Sequence, residues 1–385
     1  MKPIGIYIHI PFCTRRCGYC DFLTFAGQER NYLPYANALI KEINAYQALH
    51  EYTITSIFVG GGTPTTLSPQ SITEIFKALG QYKIHPEAEI TVEANPGTLS
   101  LTMLRALKNS GVNRLSMGLQ AWQPRVLKKI DRGHTNQQFL QNYKHARQLG
   151  FKNINVDLIF SLPYMESEAK AFDDWYETLQ KVSALKPEHI SLYSLIIEEG
   201  TRFHYEEQQG TLIPQSTEMD RRMYHFAQTY LQKKGYTQYE ISNFAQRDKA
   251  CRHNLLYWQR GEYVGFGIGS SGFINNERVS NIRGLNQYIQ LLSAEAYTPK
   301  QIIEEVTPIA PQEAMEEFMY LGLRCLAGVS KEKFQTLFNI PMKQVFPVPL
   351  ATHLQGGLLE EIGDTIRLTK QGLDISNRVF ADFIS

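Results

Sequence analysis

No stretch of this 385-residue chain reaches the eighteen apolar residues expected of a membrane span. An integral membrane segment is therefore not expected, and peripheral association is left open. There is no excess of one charge either. The 39 Lys and Arg stand against 38 Asp and Glu, a net charge of +1, which argues against a general polyanion binder. Cysteine is scarce. The five residues do not form paired units, which suits a reducing compartment, and a cytoplasmic location is expected. The apolar stretch at the N-terminus is short, contains His9 and Pro11, and runs straight into the cysteines. Read as a signal peptide it would be discarded with part of a site, so that reading is rejected. No internal repeat or low-complexity segment is found. What remains is a chain 43% hydrophobic, long enough for one large domain and a smaller one.

Three of the five cysteines, Cys13, Cys17 and Cys20, lie within eight residues in the spacing C-x3-C-x2-C. They follow an alternating apolar run, Ile4 to Ile10, that reads as a strand. Such a loop can wrap three thiolates around one inorganic centre. Structural zinc usually takes four protein ligands, yet Cys251 and Cys325 are distant in sequence and have no cysteine neighbours. A four-iron cluster normally takes four thiolates, so three leave one iron open to an outside ligand. A [4Fe-4S] cluster is the leading expectation. Zinc, or unligated structural thiols, is the alternative.

The spacing after an N-terminal strand resembles the radical S-adenosylmethionine (SAM) superfamily. Tyr7-Ile-His-Ile-Pro-Phe-Cys13 narrows the resemblance to the oxygen-independent coproporphyrinogen III oxidase group. That resemblance implies SAM as the ligand completing the cluster, and it extends from Tyr7 to about Phe383.

Six apolar runs of strand length precede helical stretches: Ile4–Ile10, Ile57–Gly60, Ile90–Glu93, Arg114–Leu119, Ile154–Leu158 and Ile190–Leu195. Segments at helical spacing, such as Tyr35–Tyr46, Ser71–Leu79 and Leu101–Ser110, lie between them. This alternation predicts parallel strands with crossover helices, an α/β fold. Six units are too few for a closed eight-fold barrel. The resemblance implies a partial (β/α)6 barrel, with chemistry at the carboxyl ends of its strands.

Those strand ends carry the candidates. Gly60-Gly-Gly-Thr-Pro-Thr65 removes Cβ atoms so that the backbone can approach a ligand, though alone such a turn is more often only a tight strand exit. By resemblance Gly61, Gly62 and Thr63 lie against the SAM amino group. Glu93 can accept two hydrogen bonds from a ribose diol, or be an ordinary solvated glutamate. By resemblance Gln120 contacts SAM, and Arg132 pairs with its carboxylate through a planar fork. A surface ion pair is the plainer reading of Arg132. Asp157, a lone acid in an apolar strand, needs a partner and matches a SAM-contacting position. Tyr7 and Tyr19 flank the cysteines in the same pattern.

A helix is expected over Met219–Lys234, with Gly235 as its C-cap. Beyond it, Cys251-Arg-His-Asn-Leu-Leu-Tyr-Trp258 places His253 and Tyr257 at i,i+4 if the segment is helical. An imidazole among aromatics can ligate haem iron against a planar macrocycle, or be a hydrogen-bonded core residue. His253-Asn-Leu-Leu-Tyr-Trp258 matches H-N-x-x-Y-W, a signature of a related family of haem chaperones. Gly265–Gly272 is glycine-rich enough for another chain or ligand to approach, without the spacing of a nucleotide-binding loop.

The domain reading is 1–235 for the barrel, 236–300 for an extension carrying the H-N-x-x-Y-W segment, and 301–385 for a smaller unit. Pro299, Pro308 and Pro311 bracket the last boundary. Helices at Gln312–Ala327 and Lys331–Leu337, a hairpin about Gly363-Asp364 and a final helix, Leu373–Ile384, resemble a winged-helix module. Residues 328–385 hold six Lys and Arg and six Asp and Glu, so no nucleic-acid partner is expected.

Two departures separate the chain from the oxidases. Phe22 stands where they carry a fourth cysteine, and only three residues precede the first strand. The resemblance therefore implies a haem chaperone that binds a [4Fe-4S] cluster, SAM and haem, and passes haem to an acceptor such as a respiratory protein. His253 is the candidate haem contact and Cys251 a weaker second. The alternative is a catalytic radical SAM enzyme that cleaves SAM and acts on a porphyrin or porphyrinogen.

Overall fold

The computed structural model describes residues 1–163 and 166–384. Six parallel strands lie side by side in chain order: β1 (Lys2–Ile10), β2 (Tyr52–Gly61), β3 (Ile84–Ala94), β4 (Arg114–Gln120), β5 (Ile154–Phe160) and β6 (His189–Ser194). Their apolar residues are buried because crossover helices cover the outer face. Ile4, Ile6, Ile8 and Ile10 of β1 are all inaccessible to solvent. The helices start where small hydroxyl residues satisfy the free N–H groups of the first turn. Ser68, Ser100, Thr135, Ser167 and Ser216 each accept a backbone N–H three residues on. Thr217–Lys233 ends with Gly235 at φ +86°, a left-handed position that suits glycine.

The sheet is wider than the six strands expected, with twelve among the described residues. Next to β1, Tyr263–Phe266 runs parallel to it, with Tyr7 opposite Gly265. Ser271–Ile274, Glu277–Asn281 and Ile303–Pro308 follow in antiparallel order. Beyond β6, Asn243–Ala245 and Thr237–Gln238 close the other edge. The described strands do not close into a barrel. The glycine-rich run Gly265–Gly272 admits a neighbour, as its composition predicts, but the neighbour is this chain. A Cβ on Gly265 would collide with the Ser271 carbonyl, and one on Gly267 would lie 2.6 Å from the His9 carbonyl.

The C-terminal part is a smaller, mainly helical unit. Pro311–Gly322, Lys331–Phe338 and later helices flank a three-stranded antiparallel sheet of Val329–Ser330, Thr365–Leu368 and Leu359–Ile362. The hairpin turns at Gly363-Asp364, where the sequence predicts it. The final helix is two short ones, Lys370–Asp374 and Ser376–Ala381. This unit has a core of its own around Met319, Phe334, Ile366 and Val379. Its contact with the large sheet is rich in ionic groups. Glu317 receives the guanidinium groups of Arg260, at 2.6 Å, and Arg278. Arg324 lies 4.3 Å from the centre of the Trp258 ring.

Candidate functional site: a cysteine loop over the strand ends

β1 delivers the chain to Pro11, and the cysteine loop then folds across the carboxyl ends of the parallel strands. Its first cysteine is fixed by backbone pairing. Gly62 N donates to Ile10 O at 2.8 Å and Thr63 N to Phe12 O at 2.7 Å. Thr63 Oγ1 therefore sits 3.6 Å from Cys13 Sγ. A Cβ on Gly62 would lie 2.6 Å from Phe12 O and 2.9 Å from Ile10 O, so only glycine allows this approach. Arg132 reaches the same loop. Its Nη1 donates to Cys17 Sγ at 3.5 Å and its Nη2 to Gly118 O at 2.7 Å, while Nε is buried without a partner. Cys13, Cys17 and Cys20 are all partly buried, and burial pushes the Cys13 and Cys20 thiols up. Among the described residues no three His, Cys, Asp or Glu side chains converge to hold a single metal ion.

The other strand-end candidates meet below the loop. Glu93 Oε2 accepts the Gly61 N–H at 3.2 Å. Asp157 accepts from Ser116 Oγ at 2.9 Å and Asn155 Nδ2 at 2.7 Å. Burial, helped by the charge of Asp157, pushes Glu93 up to about 8, and burial raises Asp157 against its hydrogen bonds. Two such carboxylates favour a ligand that brings positive charge or hydroxyl donors. Gln120 ends β4 in a left-handed conformation, φ +70°. Tyr7 donates to or accepts from His9 Nδ1 at 3.0 Å, and burial raises its hydroxyl. Tyr19 leans on Phe203, ring centres 6.4 Å apart. The candidates at the strand ends thus share one region.

His253 lies deeper, one ring removed from Tyr7: Phe58 stacks between the two, 6.4 Å from Tyr7 and 5.3 Å from His253 by ring centres. It belongs to the helix Arg252–Trp258, which packs against β2. Its Nδ1 is 2.8 Å from Ser56 Oγ, and its Nε2 is 2.7 Å from the Tyr257 hydroxyl, the i,i+4 pair expected from the sequence. The ring stacks on Phe58 and is inaccessible to solvent. Burial, with the nearby Arg114 charge, pushes it down to about 3, so the imidazole is neutral. Ser56 precedes Gly61 by five residues on β2, roughly 16 Å along a strand. His253 therefore stands well away from the cysteine loop. Cys251 is buried beside it, its thiol donating to Glu89 Oε1 at 3.3 Å and pushed up to about 12 by burial.

Comparison with known proteins fits this geometry. Residues 7–176 match the Radical SAM superfamily and residues 309–375 the HemN C-terminal domain. A Bacillus subtilis protein named Heme chaperone HemW is 36% identical over 382 residues, 98% of each chain. The chain belongs to the HemW family. A Lactococcus lactis HemW is 35% identical over 384 residues, covering all of this chain and 98% of its own. A cattle relative, Radical S-adenosyl methionine domain-containing protein 1, mitochondrial, is 32% identical over 86% of this chain and 75% of its own. The crystallised Escherichia coli coproporphyrinogen III oxidase HemN superposes with a TM-score of 0.85 at 21% identity. It covers 99% of this chain and 90% of its own, which confirms the radical SAM fold. No helix among the described residues is long and apolar enough to cross a membrane.

For this HemW-family chain, the interior charges were missed in the sequence. Glu42, Glu89 and Arg114 are buried, each on a helix or strand whose other positions are ordinary. His134 is also buried, and burial with the Arg132 charge pushes it down to about 3 against a hydrogen bond to the Leu119 backbone. Its one sequence signal is its place two residues after Arg132.

Proposed function

We propose that the chain is a cytoplasmic haem chaperone that holds a [4Fe-4S] cluster and SAM at the strand ends and carries haem to an acceptor protein. The observation that carries this reading is the meeting of Cys13, Cys17 and Cys20 with Thr63, Arg132, Glu93 and Asp157. The residues fit the absent groups. Three partly buried thiols gathered in one loop suit a centre whose thiolates bind separate irons. The buried, unpartnered Arg132 Nε leaves a guanidinium donor for the carboxylate of an amino acid ligand. When bound, the cluster supplies an open iron position and, if reduced, one electron.

The chain's own residues do the binding. Arg132 holds a carboxylate, Glu93 and Asp157 take hydroxyl or cationic groups, and Tyr7, Gly61, Gln120 and Tyr19 shape the walls. His253 would be the residue to hold haem, through Nε2, the nitrogen that the Tyr257 hydroxyl engages in this fold. The neutral imidazole is the ligating form, and the shift that keeps it neutral holds across physiological pH.

Anaerobic reconstitution tests the reading. Wild-type protein is expected to take up iron and sulfide and to bind SAM, and each of C13S, C17S and C20S to lose the cluster. Haem titration followed by absorbance should give saturable binding that weakens at least tenfold in H253A with the cluster intact. Zinc uptake without sulfide removes the cluster, and undiminished haem binding by H253A removes His253 from the site. SAM-dependent turnover of a porphyrin, with 5′-deoxyadenosine released, would establish an enzyme instead.

A further inference from the structure

The cysteine loop is crossed by a strap that the site above does not include. After β6 the chain turns at Thr201 into the short helix Arg202–Gln208. Phe203 N donates to Gly18 O at 2.9 Å, and Gly18 N donates to Ile130 O at 3.3 Å. Gly18, between Cys17 and Tyr19, is therefore held from both sides. A Cβ on it would lie 2.5 Å from Arg202 Nη2 and 2.6 Å from the Phe203 ring. Loop and strap meet through the one residue type that leaves room. Phe203 is fully buried with Leu127, Ile130 and Leu212, and Tyr19 leans on it from the loop.

Arg202 continues the contact to the Asp131-Arg132 turn. Its Nη2 pairs with Asp131 Oδ2 at 2.7 Å and donates to Lys129 O at 3.0 Å, and its Nη1 pairs with Glu206. Asp131 adopts φ +59°, a left-handed conformation that surroundings must hold for a residue other than glycine. That turn faces Cys17 with two groups. The Asp131 carbonyl lies 3.9 Å from Sγ, and Arg132 Nη1 lies 3.5 Å from it.

We propose that Arg202 and Phe203 are positioning residues that set where the Arg132 guanidinium stands against Cys17 Sγ. Through it they tune the reduction potential of the cluster held there. The second half rests on the cluster reading, and the first does not. A donor aimed at a ligating sulfur favours the more electron-rich, reduced state, so it raises the potential. Without Arg202 the Asp131 turn relaxes and the donor withdraws.

Two measurements test this. The first is hydrogen–deuterium exchange on the full-length chain free of metal. R202A should speed exchange of the Gly18 amide and of residues 129–133 by about tenfold or more, and R202K should recover most of the protection. F203L, which keeps an apolar side chain but loses the ring packed against Gly18 and Tyr19, should speed the Gly18 amide as well. Unchanged exchange in R202A and F203L overturns the strap. The second is a redox titration of reconstituted protein followed by electron paramagnetic resonance. R202A should show a lower potential than wild type, with R202K between them, and equal potentials overturn the tuning. Faster exchange in R202A, together with a wild-type chain that takes up no iron or sulfide, upholds the strap and overturns the cluster reading.

Discussion

His253 Nε2 and the Tyr257 hydroxyl stand 2.7 Å apart, one helical turn from each other. The bond closes a path that begins at Ser56 on β2 and ends at Tyr263, whose ring lies 4.6 Å from that of Tyr257. Two residues of the H-N-x-x-Y-W segment are thereby anchored to the barrel. Its tryptophan faces Arg324 of the C-terminal unit.

H253A should therefore lower stability as well as haem affinity. It removes two side-chain hydrogen bonds and a ring stacked on Phe58, a loss of about 3 kcal/mol. Y257F removes one hydroxyl and should cost about 1 kcal/mol. Urea titration of both variants checks the ratio. A Y257F cost equal to that of H253A would show the two not to be independent.

Glu42 gives stability a pH dependence. It accepts from Gly267 N at 2.8 Å, Asn281 Nδ2 at 2.9 Å and the Tyr288 hydroxyl, yet burial pushes it up to about 7 from the 4.5 of an exposed glutamate. The folded chain then binds a proton that the unfolded chain has released. Its contribution falls as pH rises from about 4.5 to about 7 and is level outside that window. The loss is on the order of 3 kcal/mol. E42Q should show a flatter stability curve than wild type between these limits. Parallel curves would mean that Glu42 ionises in the fold as readily as out of it.

G62A tests the close approach of β2 to the cysteine loop. The new Cβ would meet two carbonyl oxygens, at 2.6 and 2.9 Å, with no flexible side chain to yield. Overpacking of this kind costs about 2 kcal/mol. SAM binding, measured by calorimetry on reconstituted protein, should be lost before the fold is. Binding equal to wild type would exclude a role for this turn.

Glu317 holds the C-terminal unit against the sheet. Its carboxylate is buried between Arg260 and Arg278. E317A should cost about 1–3 kcal/mol, because Arg260 keeps its bond to Asn276 and Arg278, 40% exposed, turns to solvent. Limited proteolysis should then cut faster about Ile309-Ala310, where the chain passes from the strand Ile303–Pro308 to the helix Pro311–Gly322. Equal cleavage rates would show that apolar contacts alone hold it.

Much of the fold was legible because parallel strands buried on both faces write themselves as apolar runs. Arg114–Leu119 and Ile154–Leu158 lie within strands Arg114–Gln120 and Ile154–Phe160. Tyr263–Phe266 was not legible. A strand of four residues with a glycine inside carries no periodicity, and its neighbouring glycines pointed to a ligand instead. The cysteine loop was plain from spacing alone. Arg202 and Phe203 were not, since a contact through Gly18 leaves no residue pattern in either partner.

The chain's letters alone determined that three thiols crowd one loop behind the first of six strands, and that an imidazole and a phenol share a helical face. Only the folded chain decided that His253 lies deep with both nitrogens engaged, far from those thiols. It alone placed the Arg132 guanidinium against Cys17. The reason is the range of the interactions. Turns, helical faces and strands arise from neighbours in sequence. Burial of charge and aim of a side chain depend on segments a hundred or more residues apart.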